Sequence, residues 1–221
     1  MDFFDSVVVF FQNGGVFMYP IVLILAFGAA IALERYIYLA SVNSSNRRAW
    51  QEIMAALADG DFSKAREVAG QSQAAIATIL GYGLSRTQSA TRRDEIETAM
   101  EEGLMEVLPR LEKRTHYLAT FANLATLLGL LGTIIGLIQG FTAVANANPT
   151  EKADMLSASI SVAMNTTAFG LMVAIPLLLV HALLQTKTTE LVDNLEMSAV
   201  KFLNILTDQA GARRQQSGDQ V

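Results

Sequence analysis

The chain has 221 residues, 52% hydrophobic and 17% charged, with a net charge of −5. An ordinary soluble domain is about 25% charged. That deficit and a mean hydropathy of +0.34 argue against a soluble enzyme, and the acidic balance gives nucleic acid no footing as a partner. Cysteine is absent and the only histidines are His116 and His181, which excludes disulfides, thiolate nucleophiles and His- or Cys-rich metal cages.

The first fifteen residues, MDFFDSVVVFFQNGG, carry Asp2 and Asp5 and no Lys or Arg, unlike the basic start of a signal peptide. They predict a short interfacial helix over 1–15, with Gly14-Gly15 as the bend into the chain beyond. A membrane-spanning helix needs about 20 apolar residues, and three stretches supply them: 16–40, 117–145 and 157–185.

Residues 41–116 form a helical region between the first two spans. Trp50, Ile53, Met54 and Leu57 fall on one stripe. Asp59-Gly60-Asp61 reads as a turn, 62–69 starts a short helix, and Gly81 and Gly83 weaken any helix over 73–85. From Thr91, with Asp94 and Glu95 at its start, a long helix is predicted to run straight into the second span, kinked at Pro109. A short loop over 146–156 joins the second and third spans. A C-terminal helix over 186–210 has Leu191, Leu195, Val200 and Leu203 as candidate packing residues, and 211–221 has the composition of a disordered tail.

Ten of the sixteen Lys and Arg residues lie in 41–116 and four follow Leu184, whereas 1–15 has none and 146–156 has only Lys152. The positive-inside rule then puts the N-terminus and the short loop outside, and 41–116 with the C-terminus in the cytoplasm. The expected architecture is an all-α membrane protein of three spans with long cytoplasmic helical extensions. No phosphate-binding glycine motif occurs, so an ATP-driven transporter is not expected, and no nucleophile–base–acid set marks an enzyme.

The second and third spans hold the informative pattern. At about 100° per residue, Ala122, Ala125, Thr126, Gly129, Gly132, Thr133, Gly136 and Gly140 share one face of the second. Ser159, Ala163, Thr166, Thr167, Gly170, Ala174 and His181 share a broad face of the third, with Ser157, Ser161 and Asn165 on another strip. Glycines at this spacing admit a close helix neighbour, but packing does not require threonine among them. Thr133 and Thr167 fall near the bilayer midplane on antiparallel helices, where they either face a shared cavity or bond back to their own carbonyls. Neither span contains Asp, Glu, Lys or Arg. An ion path needs an ionisable group, so a partner chain is expected to supply the acid. Glu34 and Arg35 end the first span as interface charges.

The stretches YPIVLILAFGAAIALERYIYL (19–39), GLLGTIIGLIQGF (129–141) and NTTAFGLMVAIP (165–176) together resemble the ion-channel subunits of the MotA/TolQ/ExbB family, and the three-span form resembles the ExbB/TolQ branch. The resemblance implies a homopentameric ring around two copies of an ExbD/TolR-like single-span partner carrying a membrane aspartate, placed in the bacterial inner membrane in contact with lipid. It implies that a Na+ or H+ gradient is converted into work at the cell envelope, through a TonB-like or other effector, with no bound cofactor.

The family's motif maps its path-lining threonines onto Thr133 and Thr167, with Thr166 beside them. Thr126, Ser159, Asn165, Gly129, Gly136 and Gly170 are expected as supporting pore-lining residues. Two positions depart from the pattern. TonB-energising and Tol–Pal members carry a glutamate where this chain has Val162. The Thr166-Thr167 doublet resembles sodium-driven flagellar relatives, and an extra hydroxyl oxygen suits a hard cation. The alternative is a non-conducting scaffold that organises envelope proteins.

Overall fold

The computed structural model describes residues 10–11, 14–87 and 92–218, with side chains to 207. Its elements are all helical: α1 (Met18–Ala58), α2 (Phe62–Gln71), α3 (Ala75–Arg86), α4 (Arg93–Glu112), α5 (Thr115–Ala145) and α6 (Lys152–Gly218). Three helical segments are long and apolar enough to cross a membrane, within Met18–Ala58, Arg93–Ala145 and Lys152–Thr207. At 41 and 67 residues, α1 and α6 are far longer than the roughly 20 residues a bilayer requires. The predicted interfacial helix over 1–15 lies mostly outside the described residues. The helix α6 reaches Gly218, past residue 211 where a disordered tail was expected.

The chain divides into two compact units. The first comprises the described residues up to Arg35 together with Arg114–Leu184. It holds the upper part of α1, all of α5 and the start of α6. Its buried side chains are small or narrow where the helices meet: Ala122, Ala125, Ala163, Val173 and Ala174. Many large apolar side chains point outward, including Leu127, Ile134, Ile138, Ile175 and Leu179. This inside-out distribution suits a lipid solvent, in which helix association rests on close packing and not on hiding hydrocarbon from water.

The second unit, Tyr36–Lys113 with the chain from Gln185, has an ordinary apolar core. Ile53, Leu57, Ile76, Ile79, Leu80, Leu84 and Phe202 are at most 2% exposed. The stripe on α1 is present, with Trp50 and Met54 partly buried at its edge. Gly60, at φ +74°, makes the turn after α1, and the Asp61 carboxylate accepts the Lys64 N–H at 2.9 Å to cap α2. The helix α3 is continuous despite its two glycines. Gly83 is there because a methyl group would stand 2.7 Å from Met100 Cγ. The Tyr82 hydroxyl donates to Glu106 at 2.8 Å, and that bond, with the Glu106 charge, holds the phenol above its usual pKa.

Two expectations need correction. Val200 is 53% exposed, while Phe202, absent from the predicted set, is fully buried. The buried positions Leu195, Phe202 and Leu206 recur at helical spacing, and Val200 falls off that stripe. Nor does one helix run from the acidic stretch into the second span. It breaks at Lys113–Arg114, where Arg114 adopts φ +67°, and Pro109 sits inside α4 one turn earlier. The Lys113 N–H still reaches the Pro109 carbonyl at 3.1 Å. The left-handed residue ends the helix as a C-terminal cap does.

Candidate functional site

The second and third spans meet along the small-residue faces. The contacts run antiparallel: Gly129 against Thr167 and Gly170, Gly132 against Thr166, Gly136 against Ala163 and Gly140 against Ser159. A methyl on Gly129 would lie 3.2 Å from Thr167 Cα and 3.3 Å from Gly170 Cα. One on Gly170 would lie 2.6 Å from the Ala125 carbonyl oxygen. Backbone thus approaches backbone, which only glycine permits. The glycine face therefore does not stand open; it is covered by α6 of the same chain. Gly129 and Gly170 are buried within this seam and Gly136 is half-buried, which gives all three a packing role.

This register sets Thr133 and Thr167 at one level, with both side chains half-buried. The Thr167 hydroxyl donates across the seam to the Gly129 carbonyl at 2.8 Å. In a continuous helix that carbonyl also receives the Thr133 N–H, so the two threonines converge on one oxygen. The Thr133 hydroxyl donates to its own helix, at Leu130, 2.6 Å away. Thr126 bonds back to Ala122 at 3.1 Å and Ser159 to Met155 at 2.9 Å. Asn165 is half-buried and lies about 140° around α6 from Gly170, off the seam.

Thr166 is set apart from its neighbour. It is 2% exposed, and its hydroxyl faces the Gly14 carbonyl at 2.5 Å and the Val162 carbonyl at 2.9 Å. It ties α6 to the bend before α1 and is buried there. The same bend brings Gly15, at φ +73°, against Val162. Val162 is thus packed against the bend that precedes α1.

The interface charges divide as well. Arg35 is buried at 3% exposure. Glu34 pairs with Arg114, whose guanidinium donates to both carboxylate oxygens at 2.9 and 2.8 Å. Sequence reading missed this partner, although opposite charges ending two adjacent spans at one depth were a usable signal. The pair also explains how a non-glycine residue holds a left-handed backbone, which costs about 1–2 kcal/mol. With the side chains 46% and 47% exposed, solvent screening limits the pair to about 1 kcal/mol at most. Arg114→Ala, which loses the pair and keeps the strain, is expected to lower stability by about 1 kcal/mol. Arg114→Gly loses the pair but releases the strain, so it should be near neutral. Thermal unfolding in mild detergent distinguishes them, and equal effects would contradict this account.

A chain of three apolar spans with this paired-threonine seam matches one family at sequence level. The profile of the MotA/TolQ/ExbB proton channel family covers residues 71–197, and the chain belongs to that family as a multi-pass membrane protein. An ExbB homolog of Methanothermobacter thermautotrophicus is 30% identical over 203 residues, 89% of this chain and 69% of the relative. An ExbB-like protein of Synechocystis is 30% identical over 186 residues, 83% of this chain and 72% of the relative. The Tol-Pal system protein TolQ of Haemophilus influenzae is 30% identical over 112 residues, 51% of this chain and 49% of the relative.

Proposed function

We propose that this chain is the ion-conducting subunit of an envelope motor of the biopolymer-transport type. Five copies form a ring in the bacterial inner membrane around two copies of an ExbD/TolR-like single-span protein, whose aspartate supplies the acid this chain lacks. The N-terminus faces the periplasm, and the Lys- and Arg-rich 41–116 region faces the cytoplasm. The observation that carries the reading is the Thr133–Thr167 level of the seam: the Thr167 hydroxyl donates to the Gly129 carbonyl that the Thr133 N–H also meets, in spans free of any charged side chain. A hydroxyl that donates to a carbonyl keeps its lone pairs for an incoming donor. Thr167 therefore suits a protonated carboxyl passing by, and the work is delivered to a TonB-like or other envelope effector.

The ion we propose is the proton. The sodium expectation rested on the second hydroxyl of the doublet, and Thr166 directs that hydroxyl at Gly14 and Val162. A non-conducting scaffold is the second reading, favoured by Val162 at the glutamate position and by the back-bonded Thr133.

Native mass spectrometry in detergent tests the assembly. Five copies of a 23.9-kDa chain weigh about 120 kDa, and the mass should rise by two copies of the single-span protein on co-expression. A monomer or dimer that ignores that protein would overturn the motor reading.

A further inference from the structure

We propose that a groove on the second unit docks a basic amphipathic helical segment of a partner protein. The groove is a hollow of about 320 Å³ between α4 and the part of α6 beyond Gln185, with Ile79 of α3 at its base. Its floor is apolar: Met100, Leu195 and Leu203 line it and are themselves at most 4% exposed. Its rim is acidic. Glu97 and Glu101 stand on the α4 side and Glu196 on the α6 side, and no Lys or Arg lines it. All three carboxylates are exposed, and the ion pairs formed among the described residues involve Asp94, Glu106 and Glu34 instead. Three carboxylates around an apolar trough give it a charge complementary to a cationic ligand.

The shape fixes the kind of occupant. On α4 the lining positions 97, 100, 101 and 104 repeat as one helix face, about 10 Å long at 1.5 Å per residue. On α6 the lining positions 195, 199 and 203 likewise repeat as one helix face. Two helix ridges flanking a trough two turns long accept a third helix, which inserts apolar residues at i, i+3 and i+7 and points Lys or Arg at the rim. This chain's own basic pairs do not provide such a segment. Arg47-Arg48 precede a helix face already buried through Ile53 and Leu57, Arg92-Arg93 begin α4, which is the groove wall, Arg114 of Lys113-Arg114 pairs with Glu34, and the sequence around Arg213-Arg214, GARRQQSGDQV, has no apolar stripe at i, i+3 and i+7. The occupant is therefore a different protein.

The test uses the full chain in neutral-lipid nanodiscs and a fluorescein-labelled synthetic peptide of three helical turns, with Leu at i, i+3 and i+7 and Lys between. Fluorescence anisotropy should show saturable binding. A scrambled peptide of the same composition should bind about tenfold more weakly, because it has no apolar stripe. The triple variant Glu97→Lys, Glu101→Lys, Glu196→Lys alters exposed positions and should keep the parent's unfolding temperature. It should lose at least about tenfold in affinity for the Lys peptide and gain affinity for its Glu-for-Lys counterpart. Val200→Asn, at another exposed lining position, should weaken the Lys peptide without reversing its charge preference. Equal binding of the scrambled peptide, or no effect of charge reversal, would overturn the proposal. So would a concentration-dependent self-association abolished by the triple variant, which would assign the groove to a second copy.

Discussion

Gly170→Ala is expected to force α5 and α6 apart. The added methyl would meet the Ala125 carbonyl oxygen at 2.6 Å and Gly129 Cα at 3.1 Å. Both are backbone atoms, so no side-chain rotation relieves the clash. Overpacking of this kind costs about 1–3 kcal/mol, and in lipid the helix pair has little besides close packing to replace it. For a chain of this size each kcal/mol lowers Tm by roughly 2–4 °C. Thermal unfolding of the purified chain should show that loss, and Thr167 should lose its bond to Gly129 at the same time. Gly70→Ala is the control: nothing lies within 4 Å of the added methyl, and helix propensity favours alanine there by up to about 1 kcal/mol. An unchanged Tm for Gly170→Ala would mean that the seam is not closed as described.

Thr167→Val is expected to remove most of the ion flux while leaving the fold standing. Valine keeps the shape, and the single hydrogen bond to Gly129 is worth about 1 kcal/mol. If the hydroxyl takes part in conduction, its loss reduces proton flux at least about tenfold, the scale of one removed proton-transfer or polar contact. Thr167→Ser should keep most of the flux, because it retains the oxygen. Thr133→Val should follow Thr167→Val in direction. The measurement is pH-dye flux into proteoliposomes holding the chain and the proposed single-span protein. Parental flux from both valine variants would favour the scaffold reading and remove the threonines from the path.

The spans were legible because twenty apolar residues in a row have few other solutions, and the helix seam was legible from small residues at helical spacing. Periodicity names a face but not what covers it. The Gly129–Gly140 spacing admitted a close helix neighbour, and the structure shows that neighbour to be the third span of the same chain. Thr166 and Thr167 show the same limit at single-residue scale. They stand about 100° apart on one helix, which sends one to the Gly14 carbonyl and the other to Gly129. Composition weighs them equally, since only the path of residues 14–18 separates them. The break before the second span was hidden for another reason. It falls on Arg114, not on Pro109 or a glycine, and its support comes from Glu34, 80 positions away. The rim of the α4–α6 groove was not legible, because Glu196 joins Glu97 and Glu101 there from a distant stretch of sequence.

The closed seam makes the second and third spans a unit in their own right. The tightest helix contact is completed inside one subunit, as a hairpin whose two arms are joined by a connection of only six residues, 146–151. The arms can leave the insertion machinery as a finished pair, with the broad outer faces bearing Leu127, Ile134, Ile138 and Ile175 turned away from the seam. A substitution on those outer faces can therefore leave the hairpin itself intact.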